Sequence, residues 1–285
     1  IKLDGNFAEA YNNRGSAYYQ KGEPKVAIGE FSAAIDIDPD YAMAYANRAA
    51  VFFSEERYDE AIADYEKALK IDPDLDITEE YARAYNCCGE VKADTMAYEE
   101  ALEEFSTALE IYTEFDEAYP NRGEAYFELE KYEKAIDDYS DAIRLNPNSA
   151  LALRNRGDAY YRIDEYSLAI TDFNRARELN PSLDISPLFA EAYFKRGRNY
   201  YDEEKLAEAK LDLTNAIELN PQYAEAYFYR GRIHNWWYEF NEAIADFDAA
   251  IDIDSDYRDA YHRRGISFFF LEDYDTAIDN YTRAI

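Results

Sequence analysis

Apolar and small residues recur along this chain at one spacing, and the spacing is helical. Counting from Ala8, positions 4, 8 and 11 hold Tyr11, Gly15 and Tyr18. Steps of four and three place them on one helical face. A second run fills positions 17, 20, 24 and 27, which in the next copy are Tyr58, Ala61, Tyr65 and Ala68. Positions 14–16 break the pattern, with Gly22 in the first copy, and proline stands at position 32 as Pro39, Pro73, Pro147, Pro181 and Pro221. Proline there stops the second helix. Each copy is therefore predicted to be helix A, a turn and helix B. The residue at position 4 returns as Tyr11, Tyr45, Tyr85, Tyr119, Leu153, Tyr193, Tyr227 and Tyr261, at intervals of 34, 40, 34, 34, 40, 34 and 34. The eight copies start at Ala8, Ala42, Ala82, Asp116, Ala150, Ala190, Ala224 and Arg258. A fixed period in this range predicts stacked supersecondary units, and so one solenoid over residues 1–285 rather than two globular cores.

The first copy reads Tyr11-x2-Arg14-Gly15-x2-Tyr18, then Ala27-x3-Phe31, then Pro39. This pattern resembles the tetratricopeptide repeat (TPR) family, whose signature is an aromatic, Leu-Gly, Tyr, Ala-x3-Phe and Pro. The resemblance covers essentially the whole chain and implies an all-α, right-handed α-solenoid of eight helix-turn-helix units. One departure is systematic. The family's leucine, at position 7, is arginine in seven of eight copies: Arg14, Arg48, Arg122, Arg156, Arg196, Arg230 and Arg264. Position 23 is acidic in seven of eight: Glu30, Asp64, Glu104, Asp138, Asp172, Asp212 and Asp246. The two positions are expected to pair across helices A and B through charge-assisted hydrogen bonds. The exceptions are Cys88 opposite Glu104 and Arg264 opposite Asn280.

Both of the longer intervals carry the same insertion, Leu75-Asp76-Ile77-Thr78 and Leu183-Asp184-Ile185-Ser186. The two insertions stand three copies apart, so a larger three-copy repeat is itself duplicated. Thr78 and Ser186 read as N-caps and Pro187 as a first helical residue. Helix A of copies three and six is thus expected to start about one turn early. Residues 1–11 match residues 217–227 in phase, and Ile285 stands at position 28 of its copy. The chain is expected to be a segment of a longer array.

Composition narrows the function. Sixty-one acidic residues against 30 basic ones give a net charge of −31, a field that repels nucleic acid and anionic membrane. The longest apolar run, Ile266–Leu271, is six residues, far short of the ~20 that span a bilayer. Two adjacent cysteines, Cys87 and Cys88, form no disulfide framework and lean toward a reducing, cytoplasmic compartment. No HExxH, CxxC, phosphate-binding loop or Gly-x-Ser-x-Gly pattern occurs, and two histidines leave little for acid–base or metal chemistry. His234, at position 11, is expected to be packed. His262, at position 5, is expected to be exposed. The run Asp72–Thr78 has the look of a calcium loop but lacks its glycine and its closing glutamate. We expect no catalytic residue, no metal and no cofactor.

What remains is a surface. Positions 2, 6, 9 and 13, flanked by 5 and 12, line the helix A face opposite the packing face. In the family this stripe lines a concave groove that holds peptides. Position 6 carries Asn13, Asn47, Asn121 and Asn155; an amide can both donate to and accept from a peptide backbone. The row resembles the asparagine ladder of the TPR region in O-linked N-acetylglucosamine transferases. Later groove positions instead carry Arg154, Arg162, Lys195, Arg198, Arg232, His262 and Arg263. Tyr161, Phe194, Tyr201, Phe228, Tyr229, Trp236 and Phe269 interleave with them, and Asp158, Glu191, Asp202, Glu225 and Asp259 dilute the charge. The carboxylate clamp of chaperone-tail-binding TPR proteins is not reproduced, since only Arg263 fits it. The expected function is a protein-interaction scaffold binding an extended acidic peptide or partner segment. Self-assembly, or service as the targeting arm of an enzyme lying outside the segment, stays open.

Overall fold

The computed structural model describes residues 7–285, apart from the side chain of Ser186. Residues 1–6, which carry part of the phase match to 217–227, and the side-chain cap expected of Ser186 lie outside the described residues. Sixteen α-helices and no strand occur among the described residues. They fall into two compact blocks, residues 1–147 and 148–285. The first block holds α1 (Ala8–Gln20), α2 (Pro24–Ile37), α3 (Ala42–Ser54), α4 (Tyr58–Ile71), α5 (Thr78–Asp94), α6 (Tyr98–Ile111), α7 (Ala118–Glu128) and α8 (Tyr132–Leu145). The second holds α9 (Ala150–Arg162), α10 (Tyr166–Leu179), α11 (Ser186–Asp202), α12 (Leu206–Leu219), α13 (Ala224–Trp236), α14 (Phe240–Ile253), α15 (Arg258–Phe270) and α16 (Tyr274–Ala284). Within each block, helices pair as A with B, and each B helix packs on the next A helix.

The pairing follows from the small positions. A Cβ on Gly15 would lie 2.8 Å from the Phe31 ring, and one on Gly231 would lie 2.8 Å from that of Phe247. Position 8 is thus the seat for the ring at position 24, and the bare glycine lets the helices close. Alanines at positions 20 and 27, such as Ala61, Ala68, Ala243 and Ala250, are wholly buried at the same crossings. The A–B turn is equally uniform. Gly22 at position 15 has a φ of 81°, and the same position is left-handed at Glu56, Met96, Glu130, Asp164, Glu204, Tyr238 and Glu272. The next amide reaches back to the carbonyl five residues earlier, as in Glu23 N–H to Tyr18 (2.9 Å) and Arg57 N–H to Phe52 (2.9 Å). This is the Schellman closure that satisfies the last carbonyls of helix A.

The early starts of α5 and α11 are present, each four residues before the copy boundary. The cap of α5 differs from expectation. Thr78 is the first helical residue, and Ile77 stands at the cap with no side-chain hydrogen bond. Ile77 is buried, so an apolar anchor, not a hydroxyl, fixes the entry of α5; Ile185, ahead of α11, is buried as well. Helix α7 starts at Ala118, two residues after the copy start at Asp116. The Asp-rich turns between copies are also explained. Asp38, Asp72 and Asp254 each accept the backbone N–H two residues on, at 3.0–3.2 Å. Those carboxylates shape Asx turns.

Candidate functional site

The position-7 arginines, which recur in seven copies, are structural. Arg48, Arg122, Arg156, Arg196 and Arg230 each donate from Nε and Nη2 to both oxygens of the aspartate 16 residues on, at 2.6–2.9 Å. Arg14 meets Glu30 at 2.8 Å. The aspartates are buried and the guanidiniums of these five pairs mostly so. Burial pushes the Asp138 carboxyl above its ordinary value against the pull of Arg122. The third guanidinium nitrogen ties neighbouring copies. Arg48 Nη1 donates to Ser32 at 2.8 Å and Arg230 Nη1 to Thr214 at 3.3 Å, both on the preceding B helix. Copy three, which has Cys88 in place of arginine, fills the gap from one turn on, where Lys92 pairs with Glu104. Arg264 meets Asn280 at 2.7 Å and pairs with Asp248 of the preceding copy.

The asparagine row divides. Asn13 is exposed on α1. Asn47 instead donates to Asn12 Oδ1 at 2.8 Å, and Asn121 donates to Asn86 Oδ1 at 3.0 Å and to Glu90 at 2.7 Å. Asn12 and Asn86, at position 5, are buried. Position 6 of one copy therefore fastens to position 5 of the copy before it. Asn155 accepts from Arg154 at 3.3 Å. The sequence signal was there to be read: both amide pairs are 35 residues apart. A cleft of about 590 Å3 opens beside Asn121, bordered by Glu90, Asp94, Glu124 and Glu128. This face of the first block is acidic.

On the A-helix face of the second block, cations gather instead. From α11 and α13, Arg232 lays its guanidinium carbon 4.7 Å from the Tyr201 ring centre and 5.3 Å from that of Tyr229. Arg198 lies 5.2 Å from the same Tyr229 ring. Tyr201 and Tyr229 meet edge to face at 5.5 Å. A guanidinium stacked on rings keeps its in-plane N–H donors outward. Among the described residues, Lys195, Arg198, Arg232 and Arg263 form no ion pair with a carboxylate. Arg154 differs: its Nε lies 3.3 Å from Asp158. Burial pushes the Asp158 carboxyl up to about 6, against Arg154 and Arg162. Arg162 is exposed at the end of α9, and Trp236 is 66 % exposed. Trp236 borders a cleft of about 310 Å3 with Tyr201, Asp202, Glu204 and Leu206.

Two interleaved aromatics do not face the groove. Phe194 and Phe228 are buried, each against the tyrosine that leads into the next A helix: Tyr223 at 4.6 Å and Tyr257 at 5.0 Å between ring centres. Position 5 serves packing between copies there, as it does at Asn12. Asn235, at position 12, was not singled out from the sequence. It donates to the Arg263 carbonyl at 3.4 Å and accepts from Ser267 at 2.7 Å. His234 is buried and bonded to Glu239 at 2.6 Å, whereas His262 is exposed. Burial pushes both thiols, Cys87 and Cys88, up to about 11, which suppresses the nucleophilic thiolate. Among the described residues, no helix is long and apolar enough to cross a membrane.

Comparison with known proteins agrees with this geometry. Family models described as TPR repeat match residues 15–55 and 123–164, and those described as tetratricopeptide repeat match 42–75, 150–183 and 190–223. No curated protein matches the sequence. Among solved structures, the chain is similar to MamA from Desulfovibrio magneticus, at 22 % identity over 62 % of this chain and 97 % of that one, with a TM-score of 0.46. It is similar to the TPR2AB domain of yeast Sti1, solved in complex with pHSP90, at 20 % identity over 99 % of both chains, with a TM-score of 0.46. It is also similar to a tetratricopeptide repeat protein of Parabacteroides merdae, at 20 % identity over 85 % of this chain and 91 % of that one, with a TM-score of 0.42. The family matches together span more than half of the 285 residues, three of them starting at the copy boundaries Ala42, Ala150 and Ala190, and the chain belongs to the tetratricopeptide repeat family.

Proposed function

We propose that this protein-interaction scaffold binds an extended partner segment bearing acidic groups, along the A-helix face of residues 148–285. One observation carries the reading. In a chain of net charge −31, the position-7 arginines are matched to carboxylates, yet Lys195, Arg198, Arg232 and Arg263 share one face with no carboxylate pair among the described residues. Two of them lie over the rings of Tyr201 and Tyr229. Stacking fixes each guanidinium in place, so its outward donors meet a ligand carboxylate or phosphate with little ordering left to lose. Trp236, beside its cleft, offers an apolar anchor within the same face. Arg154 and Arg162 extend the positive face on α9, with Asp158 between them. Asn13, Asn47, Asn121 and Asn155 take the secondary role, since three of the four already bond within the protein.

The test is fluorescence anisotropy with labelled peptides that pair an aromatic residue with runs of glutamate or a phosphoserine. The expected result is binding that weakens with salt and falls about 100-fold in Lys195→Glu/Arg198→Glu/Arg232→Glu, given the usual cost of reversing charge at a recognition site. Equal affinity of wild type and variant, with helicity preserved by circular dichroism, would place the site elsewhere.

A further inference from the structure

Copies six and seven border a cleft whose lining does not match the cationic face beside it. It lies where α11 turns into α12, next to the end of α13, and measures about 310 Å3. Tyr201, Asp202, Glu204, Leu206 and Trp236 border it. Trp236 stands at position 13, which elsewhere is Gln20, Ser54, Asp94 or Arg162. Helix A forms in each of those copies, so packing does not require a tryptophan there. Copy eight follows copy seven, and Trp236 is still 66 % exposed. Its indole shares the cleft with two carboxylates. Among the described residues, neither Asp202 nor Glu204 forms an ion pair, and the adjacent Lys205 meets Glu203 instead, at 2.7 Å.

We infer that this cleft takes a lysine side chain of the bound partner segment, its methylene stem along Trp236 and Leu206 and its ammonium against Asp202 and Glu204. The inference rests on the proposal that the segment lies on the A-helix face. The lining selects the occupant. An apolar side chain would cover the indole but strip water from two carboxylates without giving them a partner. An acidic side chain would add a third like charge. A lysine satisfies both parts. Its stem packs as a hydrocarbon while its head stays polar, and the ammonium has three donors for carboxylate oxygens. The negative face of an indole attracts the same charge. Arg232, 4.7 Å from the Tyr201 ring centre, opposes a second cation, but the charged border of the cleft itself is Asp202 and Glu204. A cleft of about 310 Å3 is at the low end of ligand pockets, which suits one side chain. The partner segment would then carry acidic groups for Arg198 and Arg232 and a lysine close to them, a combination that a purely acidic segment lacks.

The test is fluorescence anisotropy with labelled glutamate-run peptides. They carry glutamates alone, one lysine scanned through the positions that follow, or norleucine at the same places. Norleucine keeps the stem and drops the ammonium. One lysine register is expected to bind about 10-fold tighter than its norleucine counterpart, the scale of a desolvated cation–aromatic contact. Asp202→Asn/Glu204→Gln is expected to erase that difference and to bind the glutamate peptide no more weakly than wild type does. Norleucine binding as tightly as lysine in every register overturns the inference. So does a lysine preference that survives in the variant. Loss of all peptide binding would instead remove the acidic-segment reading, so the cleft is also probed alone. Nα-acetyl-lysine amide is titrated into the protein while the Trp236 indole N–H is followed by NMR, its resonance assigned by its loss in Trp236→Phe. The lysine probe is expected to move that resonance, and Nα-acetyl-norleucine amide is expected to leave it in place. Equal shifts from the two probes, or none from either, would overturn the inference whatever the peptides do.

Discussion

Replacing Arg230 by leucine restores the residue that the TPR pattern places at position 7, yet it is expected to weaken the protein. Arg230 donates to both oxygens of Asp246 at 2.9 and 2.6 Å and to Thr214 at 3.3 Å, and the side chains of Arg230 and Asp246 are 20 % and 7 % exposed. Arg230→Leu leaves the Asp246 carboxylate buried without its two donors. The nearest remaining cation candidate, His234 Nε2, is 3.8 Å away. Breaking a buried pair from one side costs about 3–5 kcal/mol; because the guanidinium retains some solvent, about 3 kcal/mol is expected here. Arg230→Leu/Asp246→Leu removes both charges and leaves two apolar side chains in contact. Such replacements are neutral or stabilising in many buried pairs, so the double variant is expected within about 1 kcal/mol of wild type. The coupling in the cycle is then at least about 2 kcal/mol, larger by whatever Asp246→Leu alone costs. Repeat arrays unfold less cooperatively than globular domains, so the assay is native-state hydrogen exchange read at the amides of α13 and α14. Two single variants whose losses simply add in the double variant would refute the pairing as a source of stability.

Two further outcomes follow from local geometry. Met96 is 76 % exposed and left-handed at φ 62°, so Met96→Gly relieves a strain of about 1–2 kcal/mol at a cost of about 0.4–1 kcal/mol in unfolded-chain entropy; a rise in the thermal midpoint by circular dichroism is expected, and a fall would count against it. Asp158, raised to about 6 by burial between Arg154 and Arg162, binds its proton more tightly folded than unfolded. Its contribution to stability is therefore full below the ordinary carboxylate range and is lost as pH rises through about 6. By the same titration the face becomes more positive below that pH. In a His262→Gln background, which removes the exposed imidazole of the same face, binding of a sulfonated peptide, whose charge is constant, is expected to tighten from pH 7.5 to 5.5, and adding Asp158→Asn is expected to flatten that profile.

Much of the architecture was legible because it is written eight times. The helix pairs, the turn between them, the early starts of α5 and α11 and the arginine–carboxylate pairs all depend on fixed spacings within a copy. What was misread depends on contacts between copies, where spacing within one copy gives no guidance. Thr78 looks like a cap, but Ile77 is the buried residue that anchors the chain as it enters α5. Phe194 and Phe228 sit at the edge of the groove stripe, but Tyr223 and Tyr257, at the entry of the next A helix, cover them. Asn47 and Asn121 sit on the stripe itself, but the amides 35 residues back engage them. Each of these ring and amide partners recurs at a constant offset longer than the spacing within a helix pair, and a search at offsets near the repeat length would have found them.

The copies also separate structure from function, because each is a control for the others. Arginine at position 7 recurs in seven copies, and in six of them a carboxylate stands opposite it at position 23, so it belongs to the fold. Arg198 and Arg232 stand at position 9, where copy four has Glu124, copy two has Ala50 and copy eight has Ile266. Helix A forms in every one of those copies. A position that tolerates glutamate, alanine and isoleucine in one backbone setting is not constrained by packing. Stacked cations there, in a chain with twice as many acidic as basic residues, have to be explained by something outside the fold. The same comparison applies to Trp237 and Tyr238 against Glu203 and Glu204. Carrying a large aromatic surface in water is unfavourable by about 25 cal/mol per Å2 left uncovered. Two adjacent copies share this departure, joined ring to ring through Phe240 and Phe270.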